Sequence, residues 1–353
     1  MRYFLFFGLC FYLVQNSNAQ GCVAIRGMCN MDGDVKEKAG WELSLSNRYF
    51  RSYKHFVNDI EQHERIEKAN NVINYSNEMA ISVIRKFDYR WSMALTAPVL
   101  MYSRTSLYEH DGLTRNKTSS FGIGDIRISA YRWMIDPEKH PKGNIQLGLG
   151  IKLPTGNANY QDYFYRGKDS FVMGAVDQSI QLGDGGTGIS FEMNSFIKIK
   201  EKFSAYCNGF YLLSPREVNG TSTARGGISN ATAKKYNTDV MSVPDLYMAR
   251  IGMGFQHKKW SYMAGLRIEG LPSSDLVGGS RGFRRPGFIV SAEPTFVYTA
   301  EKYVLNFSLP IALYRNRTKS NSDTRRSADT NSNITGDAAF ADYLISIGVK
   351  FKL

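Results

Sequence analysis

The stretch Gly143-Asn-Ile-Gln-Leu-Gly-Leu-Gly-Ile-Lys-Leu-Pro-Thr-Gly156 decides how this chain folds. Ile145, Leu147, Leu149, Ile151 and Leu153 alternate with Asn144, Gln146, Gly148, Gly150 and Lys152. A two-residue period puts every apolar side chain on one face of a strand and every polar or small one on the other. Pro154 has no N–H for a neighbour, so pairing ends there, and Thr155-Gly156 lets the chain turn away. At about ten residues, the run matches the roughly 9 to 11 that a tilted strand needs to cross a bilayer. Strands of soluble domains commonly stop at about 5 to 6.

The same period returns from Trp41 to the end of the chain. Ile189, Phe191, Met193, Ile197 and Ile199 carry it, then Tyr247, Ala249, Ile251, Met253 and Phe255. Trp260 to Ile268, Phe288 to Tyr298 and Tyr343 to Phe351 repeat it. One face is aliphatic with Trp and Tyr near the segment ends, and the other is polar or Gly. An aliphatic band between aromatic girdles around a polar interior describes a transmembrane barrel. Two segments depart from the pattern. Phe203 to Leu213 does not alternate cleanly, and the apolar set of Phe121 to Ile135 changes parity near Asp125, which predicts a bulge or kink.

The connections give a separate signal. Phe87 to Arg90, Asp136 to Gly143, Lys200 to Lys202, His257 to Lys259 and Thr299 to Lys302 are short. Polar segments near 57–71, 106–120, 155–187, 214–244, 271–287 and 316–338 are long. Strict alternation of short and long is expected when turns face the periplasm and loops face outward. The predicted fold is all-β: an up-and-down antiparallel β-barrel of about 12 strands over 41–353, with both ends periplasmic. The chain closes on Phe351-Lys352-Leu353, a terminal strand suited to the outer-membrane insertion machinery.

The N-terminus predicts export. Met1-Arg2 is followed by an apolar run from Tyr3 to Val14 and a small, polar exit at Gln15 to Ala19. That reads as a signal peptide over 1–19, since about 12 apolar residues fall short of the roughly 20 of a spanning helix. Residues 20–40 would form a periplasmic segment or a small plug. In an oxidising compartment Cys22 and Cys29 are a plausible disulfide, while Cys207 stands alone. Acylation of Cys22 is the weaker alternative, because Ala19-Gln20-Gly21 lacks the usual aliphatic residue.

Net charge is +12. Export removes nucleic acid as a partner. Arg281, Arg284 and Arg285 form one basic run in the loops, and Arg315, Arg317, Lys319, Arg325 and Arg326 another. The simplest reading is solvated loops; the sharper ones are contact with lipopolysaccharide and recruitment of anionic solutes. Outer-membrane lipid is the expected surrounding. No cofactor, metal or catalytic residue is expected. His55, His63, His110, His140 and His257 show no metal spacing, and neither a G-x-S-x-G elbow nor a Walker loop occurs. A barrel phospholipase would need a Ser–His pair on the lipid-facing wall, and none stands out.

On the inner wall, Arg48, Asp125, Arg127, Lys152, Glu192, Arg250, Arg267, Glu269 and Glu293 are the pore-lining candidates, with Lys350 beside them. Such charges either pair into a network that rigidifies the lumen or form a constriction that selects permeants. Arg250, Arg267 and Glu269 are the best candidates for the narrowing.

Three short motifs carry a resemblance. They are Gly122-Ile-Gly124-Asp125-Ile126, Gly150-Ile-Lys152-Leu153-Pro154-Thr155-Gly156 and Gly183-Asp-Gly-Gly-Thr-Gly188. Together they resemble the outer-membrane β-barrel porin family named for the meta-pathway of phenol degradation. The resemblance implies an outer-membrane channel for small, often hydrophobic or aromatic, molecules; the name reflects genetic context, so no substrate carries over. Read physically, the glycines leave room inside the barrel for large side chains. The function expected is passive passage of small molecules. The alternative is a non-conducting surface barrel acting as receptor, adhesion surface or secretion-complex anchor.

Overall fold

The computed structural model describes residues 39–353. The expected signal peptide, the segment 20–38 and the Cys22–Cys29 pair lie outside them.

Period-2 patterning becomes twelve antiparallel strands that close into a ring. They are β1 (Gly40–Val57), β2 (Ile73–Lys86), β3 (Trp91–Ser106), β4 (in two pieces, Asn116–Ile123 and Arg127–Trp133), β5 (Gly143–Lys152) and β6 (Gly188–Lys200). Then follow β7 (Phe203–Leu213), β8 (Leu246–His257), β9 (Trp260–Leu271), β10 (Gly287–Thr299), β11 (in two pieces, Tyr303–Ser308 and Ile311–Asn316) and β12 (Ala338–Lys352). Each strand pairs with the next, and β12 returns to β1 from Glu42↔Lys352 to Phe56↔Ala338. Closure leaves no strand edge, which is the condition for placing β-structure in hydrocarbon.

The outer face is apolar, with Leu149 57 % and Ile347 55 % exposed. In water such a continuous belt would drive aggregation; in a bilayer it is the contact surface. Trp41, Trp91 and Trp260 on this face all sit at the short-turn end, while Trp133 turns inward against Phe196. Arg85 lies over the Trp41 ring and Arg132 over the Trp91 ring, each at 5.2 Å. Short turns occupy 87–90, 134–142, 201–202, 258–259 and 300–302; long loops occupy the opposite end. The loop expected over 106–120 is shorter, because Asn116 already pairs with Ser106 and carries β4 upward.

Two strands are interrupted, each beside a proline. On β4, Val99↔Ile123 and Thr96↔Arg127 bracket three residues, 124–126, against two on β3, Ala97 and Pro98. This bulge is the parity change expected at Asp125. Gly124 N–H donates to the Pro98 carbonyl at 2.9 Å. On β11 the break falls at Leu309-Pro310, where Pro310 has no donor and Leu309 N–H reaches Pro294 O at 3.0 Å. Below this break β11 holds β12 through six pairs, Tyr303↔Phe351 to Ser308↔Ser346. Above it only Ile311↔Tyr343 pairs. There Arg315 spans the two strands, donating from Nε to Ala341 O at 3.0 Å and pairing with Asp342 at 2.5 Å.

β7 is regular despite its blurred pattern. Its inward face carries Tyr206, Phe210 and Leu212, so apolar residues stand on both sides. Tyr206 packs with Met263, Val297 and Val304 inside the barrel. The inner wall is therefore not uniformly polar or Gly, as the sequence pattern suggested. Gly252 and Gly265 make the seat: a Cβ on either would lie 2.5 Å from the Tyr206 hydroxyl. Gly148 does the same for the Tyr131 ring, at 2.6 Å.

Candidate functional site

The inner wall is built from the inward positions of each strand, and its charges meet in opposite-sign groups. Near the short turns, Glu42 pairs with Lys86 at 2.7 Å and Lys350 at 3.5 Å. Arg48 stands 3.6 Å from Glu78, which also accepts from the Tyr102 hydroxyl at 2.6 Å. Arg127 stands 3.4 Å from Glu192, beside the Tyr131 hydroxyl at 3.2 Å. Arg250 and Arg267 share Glu293 at 3.4 and 3.5 Å, and Arg267 also meets Glu269 at 2.7 Å. Ser308 donates to Glu293 at 2.7 Å. Arg250, Arg267 and Glu293 are only 3 %, 4 % and 2 % exposed. At ordinary interior dielectric, pairs this close hold each other more strongly than a passing solute would.

Lys152 and Asp125 do something different. Lys152 Nζ reaches Asp125 at 3.0 Å and also Asp184. Gly156 N–H donates to Asp125 at 2.9 Å, and Asp184 N–H to the same carboxylate at 3.3 Å. The Thr155 hydroxyl accepts from Ile126 N–H and donates to Gly124 O, both at 2.9 Å. All three sequence motifs thus converge on one point of the wall, at the β4 bulge. A Cβ on Gly183 would come within 2.6 Å of the Asp125 carboxylate, so the chains approach too closely for a side chain. The cluster anchors a loop to the wall. In all, the paired groups of the wall comprise seven cations and seven carboxylates, so it is charge-neutral.

From that anchor the loop 153–187 folds inward. Its 3-10 turn Gln178–Ile180 is capped by Asp177, whose side chain accepts from Ser179 N–H. Val176 and Ile180 are fully buried. Ser120 Oγ donates to Ile180 O at 2.5 Å, and Gln178 Nε2 to Ser242 O at 2.9 Å. The segment therefore bridges from β4 to the loop 214–245 across the mouth of the barrel.

Beside it lies a cavity of about 370 Å³ on the loop side. Arginines line it. Arg104 makes a two-pronged pair with Glu109 at 2.8 and 2.7 Å, and Arg225 joins the same carboxylate at 2.8 Å. Arg104 also stands 3.6 Å from Asp177, which Arg285 grips with both nitrogens. Arg284 is paired with Asp275 at 2.8 and 2.6 Å and is buried. Arg317 meets Asp323 at 3.1 Å. Asp337 accepts from Arg65 at 2.6 Å and from His55 Nδ1 at 2.8 Å. His55 Nε2 accepts from Val72 N–H at 2.9 Å, which places the His55 proton on Nδ1. Burial alone would raise these carboxyls. Arg104 and Arg225 nevertheless hold Glu109 below its ordinary value, and Arg104 and Arg285 hold Asp177 well below. Burial opposes the same trend at Asp337, where His55 and Arg65 outweigh it.

Of the basic runs expected to be solvated loops, only part is. Arg281 is exposed and held by Glu217 at 2.8 Å. Arg284 and Arg317 are buried, because Arg284 finds a carboxylate within its own loop and Arg317 one on the next helix. Sequence reasoning missed Arg104, Glu109, Asp177, Arg225 and Asp337. Arg104 was detectable, since it shares inward parity with Leu100 and Tyr102 on β3. The others sit in loops, where no periodicity marks them. Among the described residues no group of three or more His, Cys, Asp or Glu could hold a metal.

No family model matches the chain, and no curated protein matches it in sequence. Solved structures do match in fold. An outer-membrane channel from Pseudomonas putida F1 superposes with a TM-score of 0.61 at 11 % identity, covering 93 % of this chain and 100 % of that one. The toluene transporter TodX of Pseudomonas putida gives 0.44 at 8 % identity, over 92 % and 91 % of the two chains. The monoaromatic hydrocarbon channel CymD gives 0.43 at 11 %, over 96 % and 94 %. At these identities the likeness is one of fold.

Proposed function

We propose that the protein is a passive channel of the bacterial outer membrane for small molecules, hydrophobic or aromatic ones among them. One observation carries the reading. A closed ring with a lipid-facing apolar belt surrounds a polar, charged inner wall, and that wall opens on the loop side into a lined cavity. A barrel serving only as an anchor needs the belt but not the cavity. The fold shared with the Pseudomonas putida channel supports the reading, as do the three motifs that resemble the phenol-pathway porin family. Outer-membrane lipid contacts the belt, and lipopolysaccharide faces the loop end. No catalytic step is invoked.

In this reading Arg48, Arg127, Glu192, Arg250, Arg267, Glu269 and Glu293 line the path as mutually paired groups. Lys152 and Asp125 act at its edge by anchoring the inward loop. A permeant enters at the cavity, passes the 176–183 segment and then the paired wall. The burial of Arg250 and Glu293 favours one second reading, a non-conducting surface barrel. Planar-bilayer recordings and liposome swelling with the purified full chain decide between them. Discrete conductance steps with solute-dependent swelling are expected. Silence in both assays, from protein shown to be folded and inserted, would establish the non-conducting reading instead.

A further inference from the structure

The cavity differs from the wall beneath it in its charge balance. The wall groups cancel. Around the cavity, counting the partners Arg65 and Asp275 that stand just behind it, seven guanidinium groups meet five carboxylates. Arg104, Arg225 and Arg285 share Glu109 and Asp177. Arg326, on the helix Asn321–Thr330, lines the cavity with its guanidinium over the Tyr236 ring at 5.8 Å. Arg317 is 3 % exposed, and its Nε–H is buried with no acceptor. A buried guanidinium donor left unmade is costly, and a ligand anion is the group that would satisfy it. Burial, aided by the nearby Arg285 cation, weakens the charged form of Arg317 against the pull of Asp323.

The rest of the lining mixes polar side chains with a hydrocarbon patch. Val72, Val176, Met241, Phe283, Ala338 and Ala339 contribute hydrocarbon surface to the same space. Convergent charged groups beside a hydrocarbon patch suit a ligand that carries both, and the volume is at the lower end of small-molecule pockets. A bare anion would leave the hydrocarbon lining in contact with water. A neutral hydrocarbon would leave the Arg317 donor unmade.

We infer that this cavity binds a small amphipathic carboxylate, its acid group held by Arg317 and Arg326 and its apolar body against Val176, Met241 and Phe283. The inference deepens the channel reading, naming the class of molecule captured at the entrance, and rests on it for that role alone.

Isothermal titration calorimetry on the purified full chain tests it, with sodium benzoate as the probe. Benzamide has the same body without the charge, and inorganic phosphate the charge without the body. Saturable benzoate binding is expected, at least tenfold tighter than either. Arg326→Gln should weaken benzoate at least tenfold. Arg317→Gln should do the same to binding; since Arg317 is buried and could be needed for folding, Arg326→Gln on the surface helix is the deciding variant. Equal binding of benzoate and benzamide, phosphate binding as tightly as benzoate, no benzoate binding, or full benzoate affinity in Arg326→Gln would each overturn the inference. Conductance without benzoate binding would sink the site and leave the channel standing. Benzoate binding without conductance would do the reverse.

Discussion

Replacing Glu293 with Gln removes the carboxylate shared by Arg250 and Arg267 while keeping an acceptor for Ser308. At 3.4 and 3.5 Å, and an effective dielectric near 20, each attraction is about 5 kcal/mol. The ionised carboxylate also carries a desolvation penalty of several kcal/mol, which the substitution relieves. The net loss is then about 3–5 kcal/mol, in line with breaking a buried pair from one side. Arg250→Met added to Glu293→Gln leaves Arg267 with Glu269 at 2.7 Å and no surplus charge. The double variant should return to within about 1–2 kcal/mol of the parent, because deleting a whole pair is tolerated far better than halving one. Urea unfolding from lipid vesicles, followed by tryptophan fluorescence, measures both. A single variant within about 1 kcal/mol of the parent would show that these contacts do not hold the wall. A double variant no better than the single would show that the penalty is not one of unpaired charge.

Gly265→Ala should cost about 1–3 kcal/mol by driving a Cβ against the Tyr206 hydroxyl and the Ile251 carbonyl, whereas Gly209→Ala, whose new Cβ would meet nothing nearer than 4.0 Å, should be close to neutral in the same unfolding assay. The loop network should be insensitive to mild acid. Asp177, Glu109 and Asp337 have folded values below the unfolded value near 4, so they contribute stability above it and lose it only as pH falls through the folded values. Hydrogen-exchange protection of 176–183 and 317–337 should hold from pH 8 to 5; loss between 7 and 5 would implicate a histidine instead. Trp41, Trp91 and Trp260 should be quenched by bromine placed near the headgroups and much less by bromine at the bilayer centre; equal quenching at both depths would contradict the girdle.

The barrel was legible because membrane strands must alternate along their whole length, and Ile145 to Lys152 does so without fault. Where the alternation blurred, the cause was internal packing. Tyr206 and Leu212 turn inward because Gly252 and Gly265 leave space for a large ring, and a sequence read strand by strand does not pair those positions. The parity change at Asp125 was visible as a bulge. Its purpose was not, since it depends on Lys152 and Asp184 arriving from other segments. The inward direction of Arg250, Arg267 and Glu293 followed from parity alone. Their pairing depended on strand stagger, which the sequence states only indirectly. The cavity was the least legible part. Arg104 on β3 meets Glu109 in the loop that follows it, and Arg285 meets Asp177 from 108 residues away; no periodicity marks such partners.

The two flanks of β12 are unequal. Toward β1 its ladder runs almost unbroken from one mouth to the other, although this is where the first and last strands meet. Toward β11 the backbone pairing stops above Ile311↔Tyr343, where Arg315 ties the two strands and β11 reaches past β12 to bond β1 at Asn58↔Arg317. The ring is thus not weakest at its topological join. Re-cut as a circular permutant, with Gly40 linked to Leu353 and new termini in 317–337, the chain would open its ends at the seam that nature already left loosely sewn.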